Sequence, residues 1–151
     1  MEWKWKTLAG HVLTYPAPTG ELAELMQWAE LAVADPAITE PMMAERIYGA
    51  ANPLLDHAMM PGRSMVTAET LRRPEWYVLQ DMLARKDVAT GRIVLEDVEA
   101  RYTMPLVEAA RSLGVHESAL RQLVQRFRVP AWKKAGSWHF DPRTLRASVN
   151  P

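Results

Sequence analysis

Ser118, Arg121, Gln122 and Gln125 fall at spacings of three and four residues, which places them on one side of an α-helix. Their chemistry is recognition rather than bond-making. An arginine fork fits the two acceptors of guanine, a glutamine amide pairs in two places with adenine, and a serine hydroxyl reaches either a base edge or a phosphate. Arg126, Arg128, Lys133 and Lys134 follow within ten residues, with His139 a little further on, and they supply donors suited to a phosphate backbone. The first turn of the same helix aims backbone N–H groups outward, a favourable arrangement for an anion that Glu117 opposes.

Such a helix needs a support that holds it proud of the surface. The stretch "EAARSLGVHESALRQLV" puts Gly114 in the middle of what otherwise reads as one amphipathic helix. Glycine tolerates the backbone of a sharp corner, and Ala109 and Ala110 are small enough to let a second helix cross close by. Leu106, Leu113, Val115, Leu120, Leu123, Val124 and Phe127 recur at spacings that give both helices an apolar inner face. Downstream, "VPAWKKAGSWHF" predicts a hairpin turning at Ala135-Gly136, with Trp132, Trp138 and Phe140 as its core. Asp141-Pro142 is a cap and first-turn pair for a closing helix that carries Leu145.

In this order of elements the segment from about Thr103 to Val149, roughly a third of the chain, resembles the winged helix-turn-helix of the excisionase and MerR-like family. The shared features are the alanine pair, the Leu-Gly-hydrophobic turn, the following helix, the proline-containing strand, the glycine-turned wing and the "DPRTL" closing helix. The resemblance implies that the second helix and the wing meet DNA. Ser118, Arg121, Gln122 and Gln125 would then lie in the groove, with Lys133 and Lys134 on the backbone. Two departures stand out: Pro105 occupies the place of a Ser or Thr cap, and "RFRV" replaces a small-residue glycine link before the wing.

The first hundred residues carry no such resemblance. "EWKWKTL" alternates Trp3 and Trp5 with lysines, and with Gly10 and "HVLTY" it predicts a small hairpin. Thr19 is a candidate cap for a helix bearing Leu22, Leu25, Met26, Ala29 and Val33 that stops at Asp35-Pro36. A shorter helix is expected from Pro41 to Tyr48, and residues 50–64 read mainly as loop. Thr67 would cap a short turn. Pro74 would start a central helix with Trp76, Leu79, Met82 and Leu83 on one face, ending at a "DVATG" turn. A last helix over Ile93 to Tyr102 would point Val94 and Val98 inward.

Composition bounds the function. The 151 residues carry no net charge, but residues 1–100 hold nine basic and fifteen acidic side chains, whereas residues 101–151 hold nine basic and three acidic. A basic tail thus follows an acidic body. With no cysteine there is neither a disulfide framework nor a thiolate metal site, and the four histidines lack ligand spacing. "HESAL" has Leu120 where a second zinc-binding histidine would stand, no glycine-rich phosphate loop is present, and Asp56-His57 reads as a chance pair. No enzyme, cofactor or metal is expected. No apolar run reaches the ~20 residues of a membrane span, and a cytoplasmic location is expected.

These readings predict a mainly α chain, with residues 1–102 an acidic, α-rich domain bearing a small β-hairpin and residues 103–151 a winged helix-turn-helix. The expected function is that of a sequence-specific double-stranded DNA-binding protein, a prokaryotic transcriptional regulator acting as a homodimer. In it Ser118, Arg121, Gln122 and Gln125 read bases, while Lys133, Lys134, Arg126, Arg128 and His139 hold backbone. The N-terminal domain would dimerise the chain or receive a protein partner. An excisionase-like architectural factor and a protein-interaction adaptor on the same fold are the alternatives.

Overall fold

The computed structural model describes residues 1–60 and 63–149. It mixes seven α-helices with small antiparallel sheets of two or three strands, all among the described residues. The chain divides into two compact units.

The first unit comprises Met1–Leu8 and Val12–Arg92. Strands β1 (Glu2–Lys6) and β2 (Val12–Pro16) pair antiparallel with Trp3 opposite Tyr15 and Trp5 opposite Leu13, as the alternating pattern leads one to expect. Helix α1 (Gly20–Ala34) buries Leu22, Leu25, Met26 and Ala29. Thr19 does precede it, but its side chain makes no capping hydrogen bond. Helix α2 (Glu40–Ile47) is capped by Thr39, whose hydroxyl accepts from the Met42 N–H at 3.3 Å.

Residues 50–64, expected to be mainly loop, contain a strand pair instead. Strands β3 (Asp56–Met60) and β4 (Arg63–Met65) pair antiparallel, and residues 61–62 of the expected loop lie outside the described residues. Polar ties that no periodicity announces hold this region. The buried Asn52 amide donates to the Ile47 carbonyl at 2.8 Å and accepts from the Leu54 N–H at 2.9 Å. His57 Nε2 donates to the Asn52 carbonyl at 2.7 Å, which leaves Nδ1 to accept from the Ser64 hydroxyl at 2.8 Å.

A 3-10 turn over Thr70–Arg72 leads into helix α3 (Pro74–Ala89); its cap position is held by Glu69 rather than Thr67, whose hydroxyl nevertheless accepts from the Thr70 N–H at 3.3 Å. Trp76, Leu79, Met82 and Leu83 are buried, as their shared face predicts, and they meet α1, α2 and the first hairpin in one core. The helix runs through the "DVA" expected to begin a turn, and it stops only at Thr90 and Gly91, the latter at φ 76. Two charged side chains serve this core. Asp81 accepts from Trp5 Nε1 at 2.7 Å, the Leu8 N–H at 2.9 Å and Arg85 Nε at 2.7 Å. Lys86, 2% exposed, donates from Nζ to the carbonyls of Ala32 at 2.8 Å and Asp35 at 2.7 Å, neutralising the negative end of α1.

The second unit comprises Ala9–His11 and the chain from Ile93 onward. Helix α4 (Leu95–Glu99) is shorter than the expected Ile93–Tyr102 span. Val94 is 51% exposed rather than inward, because it precedes the helix in extended conformation and so lies off the helical face that spacing assigned it. Strand β5 (Met104–Pro105), helices α5 (Leu106–Leu113) and α6 (Glu117–Gln125), strands β6 (Trp132–Lys134) and β7 (Ser137–Phe140), and helix α7 (Pro142–Val149) follow. The sheet order is β5-β7-β6, all antiparallel. Leu106, Ala109, Ala110, Leu120, Val124, Val129, Phe140 and Leu145 form its core. Burying a side chain such as Leu120 or Phe140 contributes roughly 1.5–3 kcal/mol.

Candidate nucleic-acid interface

The corner between α5 and α6 is built on backbone geometry. Gly114 sits at φ 67, and the N–H groups of Gly114 and Val115 turn back to the carbonyls of Arg111 (3.2 Å) and Ala110 (3.0 Å). This double closure satisfies the last carbonyls of α5 and needs a left-handed residue. Ala109 and Ala110 are buried at the junction, where a larger side chain would push the helices apart. Pro105 is the cap residue of α5 and offers no capping side chain.

Helix α6 then divides cleanly by face. Leu120 and Val124 are buried, and Leu123 packs beside them. Ser118, Arg121, Gln122 and Gln125 are all exposed, so the structure does place the four on one open side. Arg121 Nη2 lies 4.0 Å from Glu117 Oε1, a loose pair at an exposed site that leaves the guanidinium available to another partner.

The start of α6 holds a residue that spacing alone passes over. His116 Nδ1 accepts from the Ser118 N–H at 3.2 Å and lies 2.9 Å from the Ser118 hydroxyl. One of the N–H groups expected to face an anion is therefore already engaged by a side chain. Accepting at Nδ1 puts the proton of the neutral ring on Nε2, which becomes a donor beside the exposed face. A histidine in place of the usual Ser, Thr, Asp or Asn explains why no capping signal marks this position.

The end of α6 repeats the closure of α5 with a bulky residue. The N–H groups of Phe127 and Arg128 return to the carbonyls of Val124 (3.0 Å) and Leu123 (2.9 Å), with Phe127 at φ 57. The "RFRV" link thus does the work of a glycine at some cost in backbone strain. What holds it is ring packing: the His11 ring lies between Phe127 (centroids 4.2 Å apart) and Trp138 (4.7 Å). Arg126 and Arg128 flank Phe127 and are exposed.

The β6–β7 hairpin turns through Ala135 and Gly136, both at positive φ, with Lys134 opposite Ser137. Phe140 is buried and Trp138 half-buried against the core, while Trp132 packs on Tyr102 with ring centroids 5.6 Å apart. Alternation along β6 sends the two adjacent lysines to opposite faces. Lys133 shares a face with Trp138, over whose ring its Nζ stands at 5.4 Å, whereas Lys134 shares a face with Trp132 and His139. Lys133 is exposed and Lys134 half-buried. His139 is half-buried, and its Nδ1 donates to the Ser137 carbonyl at 3.0 Å.

Tyr102 titrates above its usual range because burial disfavours the phenolate, and the Asp141 carboxylate adds to the effect. Asp141 is itself buried and caps α7, accepting from the Arg143 N–H at 2.9 Å. Among the described residues no group of three or more His, Asp or Glu side chains could hold a metal ion, and no helix is long and apolar enough to cross a membrane. Compared with protein-family models, with curated proteins and with solved structures, the chain matches none.

Proposed function

We propose that the second unit is a winged helix-turn-helix that binds double-stranded DNA by sequence, and that the protein is a transcriptional regulator. The observation that carries this reading is the open face of α6: four side chains able to pair with base edges stand on a helix whose opposite side is locked by buried Leu120 and Val124. In this account α6 lies in the major groove, with Arg121 on guanine, Gln122 and Gln125 on adenine-bearing positions and Ser118 on a further base edge. Lys134, Arg126 and Arg128 neutralise phosphates, with His139 beside Lys134. Lys133, exposed and with its Nζ 5.4 Å from the Trp138 ring, joins them on the backbone. One recognition helix covers few base pairs, so a homodimer on two half-sites is the form in which such a module reaches useful specificity.

The test is retention of fragmented host DNA by the purified protein at near-physiological salt, with excess nonspecific competitor, followed by sequencing. A few enriched sites sharing a motif, arranged as an inverted repeat, are expected. Uniform recovery across the genome would refute sequence readout and would make the α6 face a docking surface for a protein.

A further inference from the structure

Alternation along β1 puts Trp3 and Trp5 on one face of the first hairpin, and the register adds Leu13 and Tyr15 to that face. Beneath it lie Met26 and Glu30, one turn apart on α1, and Met82 of α3. Together with the two tryptophans and Tyr15 they line a cavity of about 350 Å³. The cavity opens toward solvent past Trp3, which is 39% exposed, and past the exposed Glu30.

The lining is mainly aromatic and thioether, with the exposed Gln27 and Glu30 of α1 at its rim. Trp3 stands edge-on to Tyr15, with centroids 6.5 Å apart and planes at 60°, so two ring surfaces converge without stacking shut. Aromatic faces carry negative quadrupole density, and thioether sulfurs are polarisable; both attract a diffuse positive charge. Glu30 supplies a full negative charge at the rim. Tyr15 reports the same field from within the wall: burial first, and then the carboxylates of Glu30 and Glu75, push its hydroxyl above the usual range. Lys4 also borders the cavity, but alternation directs its side chain to the opposite face of the strand from Trp3 and Trp5. One face of Trp5 is taken by the Arg85 guanidinium at 5.2 Å, which leaves Trp3 as the exposed ring, with the buried Tyr15 forming the inner wall.

We infer that this cavity binds an organic cation with a quaternary ammonium head, its methyl shell against Trp3 and Tyr15 and its charge balanced by Glu30. An anion is repelled by the carboxylate. A compact, strongly hydrated ammonium would lose its water to a largely apolar wall, whereas a quaternary head carries its charge on a greasy surface. The site lies wholly within the first unit and is independent of the DNA-binding reading.

Choline and its neutral isostere, in which carbon replaces nitrogen, are titrated into the full-length protein by calorimetry. Saturable choline binding is expected, about tenfold or more tighter than that of the isostere. Glu30→Gln and Trp3→Ala should each weaken choline several-fold while leaving the isostere little changed in the first case and weakened in the second. Should Trp3→Ala fail to fold, Glu30→Gln, a change at an exposed helical position, decides alone. Absence of saturable choline binding, equal affinity for the isostere, or choline affinity unmoved by Glu30→Gln would each overturn the assignment.

Discussion

The backbone N–H of Lys133 donates to the carbonyl of Ala9 at 2.7 Å, a bond between residues at nearly opposite ends of the chain. It occupies a donor on the outer edge of β6, an edge that a short exposed strand would otherwise leave open to pairing with another molecule. The next residue, Gly10, sits at φ 101, and a Cβ there would lie 2.5 Å from the Cβ of Lys133. Glycine is demanded twice over at this position.

Gly10→Ala is therefore expected to destabilise the second unit by about 2 kcal/mol or more, from the unfavourable φ and the clash together. Urea unfolding followed by the tryptophan signal measures it. An unchanged midpoint would show that Ala9–His11 contributes nothing to the hairpin's stability.

The opposite result is expected at the hairpin tip. Ala135 and Gly136 form a two-residue turn with both φ values positive (49 and 79), and alanine is a poor occupant of that conformation. Ala135→Asn should stabilise by roughly 0.5–1 kcal/mol without altering the sheet register. Thermal unfolding would show a higher midpoint.

Lys86 makes a sharper demand on the first unit. Its ammonium adds a donor to the Ala32 and Asp35 carbonyls, which otherwise accept only from the backbone N–H groups of Asp35 and Ile38 among the described contacts. Lys86→Met keeps the stem's packing and removes the charged donor, and it should cost about 2 kcal/mol or more. Denaturant unfolding of the variant checks this, and a neutral outcome would mean that water replaces the ammonium without loss.

Where structure follows near-neighbour rules, the chain is readable. The Trp3/Trp5 alternation, the helical spacing in α1 and α3, the Gly114 corner, the Ala135-Gly136 turn and the Asp141 cap all appear where their residue types place them. The polar side of α6 was legible for the same reason, since its four side chains lie within two turns. Elements that depend on distant partners were not. Strand β5 is two residues long and exists because Met104 and Pro105 meet Phe140 and His139. The β3–β4 pair is tied by His57, which bonds both the Asn52 carbonyl and the Ser64 hydroxyl and which no apolar pattern announces.

Tyr102 gives the second unit an alkaline limit. Its folded-state pKa is raised above 10.0, so the neutral phenol is the form the fold prefers. The associated stability is fully present below the unfolded pKa of about 10 and is lost as pH climbs through the raised folded value. Urea midpoints measured from about pH 8 upward should fall beyond pH 10, and Tyr102→Phe should flatten part of that decline. Tyr15 acts in the same direction in the first unit.

The central claim rests on the exposed guanidinium of Arg121. The most direct measurement compares the affinity of wild-type protein and Arg121→Ala for an enriched duplex and for a scrambled duplex of equal length, at one fixed salt concentration. The account predicts that the ratio of the two affinities falls by about five- to 150-fold, as loss of a bidentate base contact worth roughly 1–3 kcal/mol requires, with scrambled-duplex binding only slightly weakened. An unchanged ratio, or an equal loss on both duplexes, would contradict it and reduce Arg121 to a backbone contact or a bystander.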